Sequence, residues 1–137
     1  MKRLIFALLF VFFSIIGSAQ PQIFLNASKM SVERYMVNEG DWYLVSSDKG
    51  LLSYCNKYTK VVVSYSFERF RGRFGYFCTG VVLDFPDRVS CDAYIDDKVS
   101  ELRFRQGLDS LSWVLVTDLV DYTINVFRVG DSVVFRD

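Results

Sequence analysis

Three cysteines, Cys55, Cys78 and Cys91, are the only thiols in this 137-residue chain, and no histidine accompanies them. Without imidazole the chain lacks the commonest general base and proton shuttle. Ser-His-Asp and Cys-His catalysis, imidazole-bound zinc and proximal-His haem ligation are all closed to it alone. No Cys-x-x-Cys occurs, so thioredoxin-like and thiolate-metal chemistry lack their spacing. Asp84, Asp87, Asp92, Asp96 and Asp97 gather near turn signals without EF-hand spacing, which reads as a solvated rim and not a calcium site. Thr117 and Asp118 read as turn residues whose side chains accept nearby backbone N–H groups. Arg69, Arg71 and Arg73, interleaved with Phe70 and Phe74, have the pattern of an anion-binding patch. In a chain of 16 basic and 16 acidic residues, however, three charges read more simply as decoration of a hairpin, and no nucleic-acid partner is expected. No metal or cofactor is expected, and the chain reads as a binding protein with no enzymatic activity.

The N-terminus bears on the compartment in which any such site would work. Lys2 and Arg3 precede an almost unbroken apolar run from Leu4 to Ile16, and Gly17-Ser18-Ala19 supplies the small residues of a signal-peptidase site. The run is shorter than the roughly 20 residues of a bilayer span, so residues 1–19 read as a cleaved secretory leader and not a stable membrane anchor. Loss of Lys2 and Arg3 leaves 14 basic against 16 acidic residues, a net charge of −2 over residues 20–137. The expected destination is extracellular, or periplasmic in a bacterium. There, three cysteines permit one bridge and a leftover thiol, or an intermolecular link. The favoured pairing is Cys78 with Cys91, because both lie in strand-like stretches on either side of a short turn. Asn26-Ala27-Ser28 is a glycosylation sequon, relevant only in a source that uses it.

The elements that must position these residues show mainly a period of two. From Lys60 to Phe67, Val61, Val63, Tyr65 and Phe67 alternate with Val62, Ser64 and Ser66; Leu102 and Phe104 alternate with charged residues, and Tyr122, Ile124 and Val126 with Thr123 and Asn125. Further β-rich runs are Trp42 to Val45, Phe74 to Phe85, Val89 to Ile95, Leu111 to Thr117 and Ser132 to Arg136. Turn signals separate them at Asp48-Lys49-Gly50, Arg71-Gly72, Pro86-Asp87, Asp96-Asp97-Lys98, Gln106-Gly107 and Gly130-Asp131, the last a tight hairpin. Only Ser28 to Val37 reads as helical, with a Ser cap and Val32, Tyr35 and Met36 on one face. About eight short strands predict a single all-β domain, a sandwich or an up-and-down barrel.

Residues Ser31 to Tyr43, a short helical turn followed by Gly40-Asp41-Trp42, resemble the opening of the lipocalins, in the calycin superfamily. Thr117-Asp118, with Tyr122 shortly after, is similar to the family's second motif, and Arg136 stands where its third motif places an arginine on the last strand. The resemblance implies an eight-stranded antiparallel up-and-down barrel with a short N-terminal helical turn. It further implies that Arg136 packs over the Trp42 indole at the closed end, where Gly40, Trp42, Thr117, Asp118 and Arg136 are structural. Such a barrel has room for one small ligand. The inward apolar residues Tyr65, Phe67, Leu102, Phe104, Trp113, Leu115, Ile124 and Val126 are then the candidate lining for a small hydrophobic or amphipathic molecule, ordinary core packing being the alternative for each. The expected function is carriage of such a ligand by a secreted protein. Two other readings remain: a packed barrel or β-sandwich that presents its loops to a protein partner or receptor, and a rare thiolate isomerase built on Cys78.

Overall fold

The computed structural model describes residues 21–70, 72, 74–116 and 123–136. The expected leader, the motif residues Thr117 and Asp118, and Tyr122 lie outside them. In chain order the elements are α1 (Lys29–Val37), β1 (Trp42–Asp48), β2 (Leu51–Asn56), β3 (Val62–Arg69), β4 (Tyr76–Asp84), α2 (Arg88–Ser100), β5 (Phe104–Gln106), β6 (Ser112–Leu115), β7 (Ile124–Val129) and β8 (Ser132–Arg136). No helix among the described residues is long and apolar enough to cross a membrane.

All eight strands join one antiparallel sheet in the order β1-β2-β3-β4-β8-β7-β6-β5. It consists of two four-stranded meanders zipped together along β4 and β8. Local chemistry sets the turns as expected. The Asp48 carboxylate accepts the Gly50 amide at 2.8 Å between β1 and β2, and Gly130, at φ 61°, turns the chain between the paired residues Val129 and Ser132. Ser28 caps α1 by accepting the Ser31 amide at 3.2 Å.

The chain is mostly β, but the sheet does not close: β1 and β5 are its two edges. The expected barrel is corrected at Val89 to Ile95, which is helix α2 and not a strand. Asp87 caps that helix, accepting the Ser90 amide at 2.7 Å. Its hydrogen bonds to Ser90 hold the Asp87 carboxyl below the usual aspartate range. Cys91 and Ile95, one turn apart, are the buried residues of α2, and Asp96 to Lys98, expected as a turn, lie inside the helix. The length of α2 matches its task. From β4 the chain must pass three strands to reach β5, about 19 Å at ~4.8 Å per strand, and a helix of 13 residues spans about 20 Å at ~1.5 Å per residue.

One face of the sheet carries the core. Leu52, Val63, Tyr65, Val81, Leu83, Val126, Val133 and Phe135 are each exposed by no more than 1%, and they cluster with Val32 and Met36 of α1 and with Cys91 and Ile95 of α2. Ile23, Phe24 and Leu25 pack against the same cluster. The layout is therefore two-layered, with helices and the N-terminal segment on one face and the other face open. Arg128, on the covered face of β7, is bonded and ion-paired to Asp92 of α2. The expected Cys78–Cys91 bridge is absent: the three cysteines are buried thiols. The pairing presupposed two neighbouring strands, whereas Cys91 lies on a helix. The Cys78 thiol instead donates to the Gly80 carbonyl at 3.4 Å, and burial pushes the Cys91 thiol up against the opposing pull of Arg128.

Candidate functional site

The two layers separate at the C-terminal end of α2, leaving a pocket of about 440 Å³. Phe104, Leu115 and Phe135 of the sheet form its apolar floor, and Tyr94 of α2 and Ile23 of the N-terminal segment its walls. Phe104 is the hub of the aromatic packing, with its ring centroid 6.2 Å from Tyr94, 6.1 Å from Trp113 and 6.0 Å from Phe135. Burial, reinforced by Asp97 and Glu101, pushes ionisation of the Tyr94 phenol well above its ordinary range, so the ring presents a neutral hydroxyl. Lys98, Glu101 and Arg103 form the mouth. Lys98 lies 5.5 Å over the Tyr94 ring and 3.8 Å from the Glu101 carboxylate, which fixes its stem along the pocket edge.

The N-terminal segment closes this pocket from above because it is tied down at several points. Tyr65, wholly buried on β3, donates its hydroxyl to the Gln22 carbonyl at 2.8 Å. Phe24 meets Tyr35 edge-on at 4.8 Å and Tyr65 at 5.7 Å. Asn26 donates to the Cys78 carbonyl and Cys78 to the Ala27 carbonyl, each at 2.8 Å. Asn26 takes φ 69° where the segment turns toward α1.

Of the expected lining residues, Phe104 and Leu115 border the pocket. Tyr65, Phe67, Trp113, Ile124 and Val126 lie on the same sheet face but are core, in contact with the layer above. Leu102 departs from expectation: it sits at φ 59° in the turn from α2 to β5, is 78% exposed, and is not on the strand at all. Trp42 and Arg136 are not brought together. Trp42 faces the core from edge strand β1, whereas Arg136 follows the buried Phe135 and so projects from the open face of β8, with β2, β3 and β4 between them. There Arg136 borders a groove of about 550 Å³ with Ser66, Glu68 and Gly80. Gly40 lies in the exposed approach to β1, with open space where a Cβ would be.

Tyr94, Lys98, Glu101 and Phe135 escaped the sequence reading. The signal for the first two was the spacing Cys91, Tyr94, Ile95, Lys98, a helical face masked by the equally good alternation of Val89, Cys91, Ala93 and Ile95. Among the described residues no group of acidic, Cys or His side chains is arranged to hold a metal ion. What the pocket offers chemically is desolvation by aromatic rings at its base and hydrogen bonding at its rim. Comparison of the chain with family models, with curated proteins and with solved structures returned no match.

Proposed function

We propose that this chain is an exported binding protein for a small amphipathic molecule, held between the sheet and α2 and not inside a closed lipocalin-like barrel. The observation that carries the reading is the pocket at the end of α2, with an apolar floor of Phe104, Leu115 and Phe135 beneath a mouth of Lys98, Glu101 and Arg103. Burial of an apolar body supplies affinity, and the few polar groups at the rim orient it. Two cations against one carboxylate favour an anionic head group. The leader-like N-terminus supports export, with cleavage after Ala19 expected in the secreted product.

Trp113 reports on this site because its ring lies 6.1 Å from Phe104, while Trp42 sits on the far edge of the sheet. A Trp42→Phe variant titrated with fatty acids, retinoids and hydrophobic amines should show a saturable change in Trp113 emission, and Leu115→Phe, which fills the pocket, should abolish it. No saturable response across the panel, or one indifferent to Leu115→Phe, overturns the reading. A second reading, a protein-interaction module, draws support from edge strand β1, where Tyr43, Leu44 and Val45 are about half exposed. It would gain if a partner protected the β1 amides from exchange while the pocket stayed empty.

A further inference from the structure

The open face of the sheet has no part in the pocket, which lies on the covered side. Strand pairing aligns the residues of that face in rows across β3, β4, β8 and β7. Ser64, Val82, Val134 and Phe127 share one row, Ser66, Gly80, Arg136 and Asn125 the next, and Val62, Asp84, Ser132 and Val129 the row on the other side. A solvated sheet face is expected to be polar. Here the middle row carries no charge, and Phe127 and Val129 are 41% and 65% exposed. Gly80 lies inside a strand of nine residues. A Cβ there would meet only the Phe135 carbonyl oxygen at 3.7 Å and the Ser66 Cβ at 3.9 Å, and its φ is not left-handed, so the fold itself does not demand glycine. A glycine inside a strand then marks the close approach of another group. The gap it leaves is the groove bordered by Glu68 and by Arg136. Neither has an ion-pair partner among the described residues.

We propose that two copies of this chain pack open face to open face, about a twofold axis running parallel to the strands between β4 and β8. That axis divides the strand order in half and exchanges the two meanders, so β8 of one copy lies over β4 of the other, and β7 over β3. Rows keep their height under this rotation. Val134 of one copy therefore meets Val82 of the other, Phe127 meets the small Ser64, and Val129 meets Val62. Arg136 comes over the gap at Gly80, beside the other copy's Glu68, while Asp84 meets Ser132, so no like charges oppose in these rows. The crossing of ~30° between packed sheets displaces these four strands least, because they flank the axis. An isologous contact requires a face complementary to itself, in size and in charge, and this one is. Eight strands at ~4.8 Å, by about five residues at ~3.4 Å, offer roughly 650 Å² per copy, near the ~800 Å² per partner of a stable complex. The pocket beside α2 stays open in such a dimer.

The test is sedimentation velocity over a dilution series, which should show a dimer that dissociates on dilution. Val134→Lys puts an ammonium at the centre of the face and should give a monomer. Its far-UV circular dichroism should match the wild type, because Val134 alternates with the buried Val133 and Phe135 and points away from the core. Glu68→Arg and Arg136→Glu should each raise the dimer dissociation constant about tenfold, since each sets like charges together twice per dimer. An equimolar mixture of these two variants should recover wild-type association, because both contacts across the axis then join an acid to a base. A contact within one chain could not be mended by mixing. A monomer at every concentration, a dimer that survives Val134→Lys and so uses another surface such as edge strand β1, or a mixture no tighter than either variant alone would each overturn the proposal.

Discussion

Tyr65→Phe removes one oxygen and tests whether the N-terminal segment is held down as the roof of the pocket. The ring contacts with Phe24 and Tyr54, at 5.7 and 6.4 Å, survive the change, and only the 2.8 Å hydrogen bond to the Gln22 carbonyl is lost. A neutral hydrogen bond of this kind is worth about 1 kcal/mol net. Gln22 is an exposed residue, so its carbonyl gains water when the hydroxyl goes, and the larger penalty of an orphaned buried acceptor does not arise. Urea denaturation should therefore show a loss of about 1 kcal/mol with an unchanged slope, equivalent to a fall of roughly 4 °C in Tm for a domain of this size. The loss is local as well as global. The Asn26 amide, bonded to Cys78, should exchange about fivefold faster, that being what ~1 kcal/mol means for a local opening equilibrium, while amides at the centre of β3 and β4 change only with global stability. Alkali supplies an independent check. Burial raises the Tyr65 phenol far above its ordinary value. Because the folded pKa is the higher one, its contribution to stability is complete below about pH 10 and disappears as pH rises towards the folded value. The variant should accordingly lose less stability than the wild type above about pH 10, Tyr94 accounting for the remaining dependence. Unchanged stability with unchanged exchange at Asn26, or a Tyr65 that titrates like a free tyrosine in the native protein, would refute the reasoning.

Gly107→Ala places a methyl group 2.6 Å from the Ser112 hydroxyl and 2.9 Å from the Ser112 carbonyl carbon and oxygen, in a turn pinned by the Gly107-to-Ser112 backbone bond. A loss of about 1–3 kcal/mol is expected by chemical denaturation. Ser112→Ala should not rescue it, because two of the three clashing atoms are backbone. A double-mutant cycle on Arg128→Gln and Asp92→Asn should give a coupling of roughly 0.5–1 kcal/mol that shrinks in salt, since the Asp92 side chain is 47% exposed. For Asp87, the folded pKa is the lower one. Its contribution is therefore present above the unfolded value of about 3.9 and lost as pH falls through the folded pKa, so Asp87→Asn should flatten the acid limb of the stability curve while still capping α2.

Eight strands were legible in the sequence and the described residues contain eight, but the agreement hides two compensating errors. Leu51–Asn56, which is β2, shows no alternation because Leu52 through Asn56 are all buried, Ser53 and Cys55 on the open face included. On that face the Ser53 and Ser64 hydroxyls bond each other at 2.9 Å, and the Cys55 thiol donates to the Asn56 carbonyl at 3.6 Å. A strand whose side chains are buried on both faces loses the period of two on which its recognition depends. Val89–Ile95 erred in the opposite direction, because alternate apolar residues there satisfied a strand and a helix equally. The arbiter was Asp87, three residues before the Ser90 amide that it caps. Where side-chain chemistry is local, as at Ser28, the Asp48–Gly50 turn and Gly130, the sequence was sufficient.

Enclosure is a different kind of property. Tyr65, Ile124 and Val126 alternate correctly and point to the covered side, but alternation is identical whether the space above a sheet holds a ligand, the opposite wall of a barrel or a helix. Here it holds Val32 and Met36 from α1, Cys91 and Ile95 from α2, and Phe24 from a segment with no periodicity at all. The same aromatic residues that suggest a lined cavity are thus consumed by packing between layers. Only where α2 ends, and the chain must descend through Glu101–Arg103 to reach β5, does the upper layer stop short of the lower one. The pocket lies at that step, where the chain leaves α2 for β5. The residues that line it therefore come from α2, the N-terminal segment and three strands far apart in the chain, which is why no local pattern announced them.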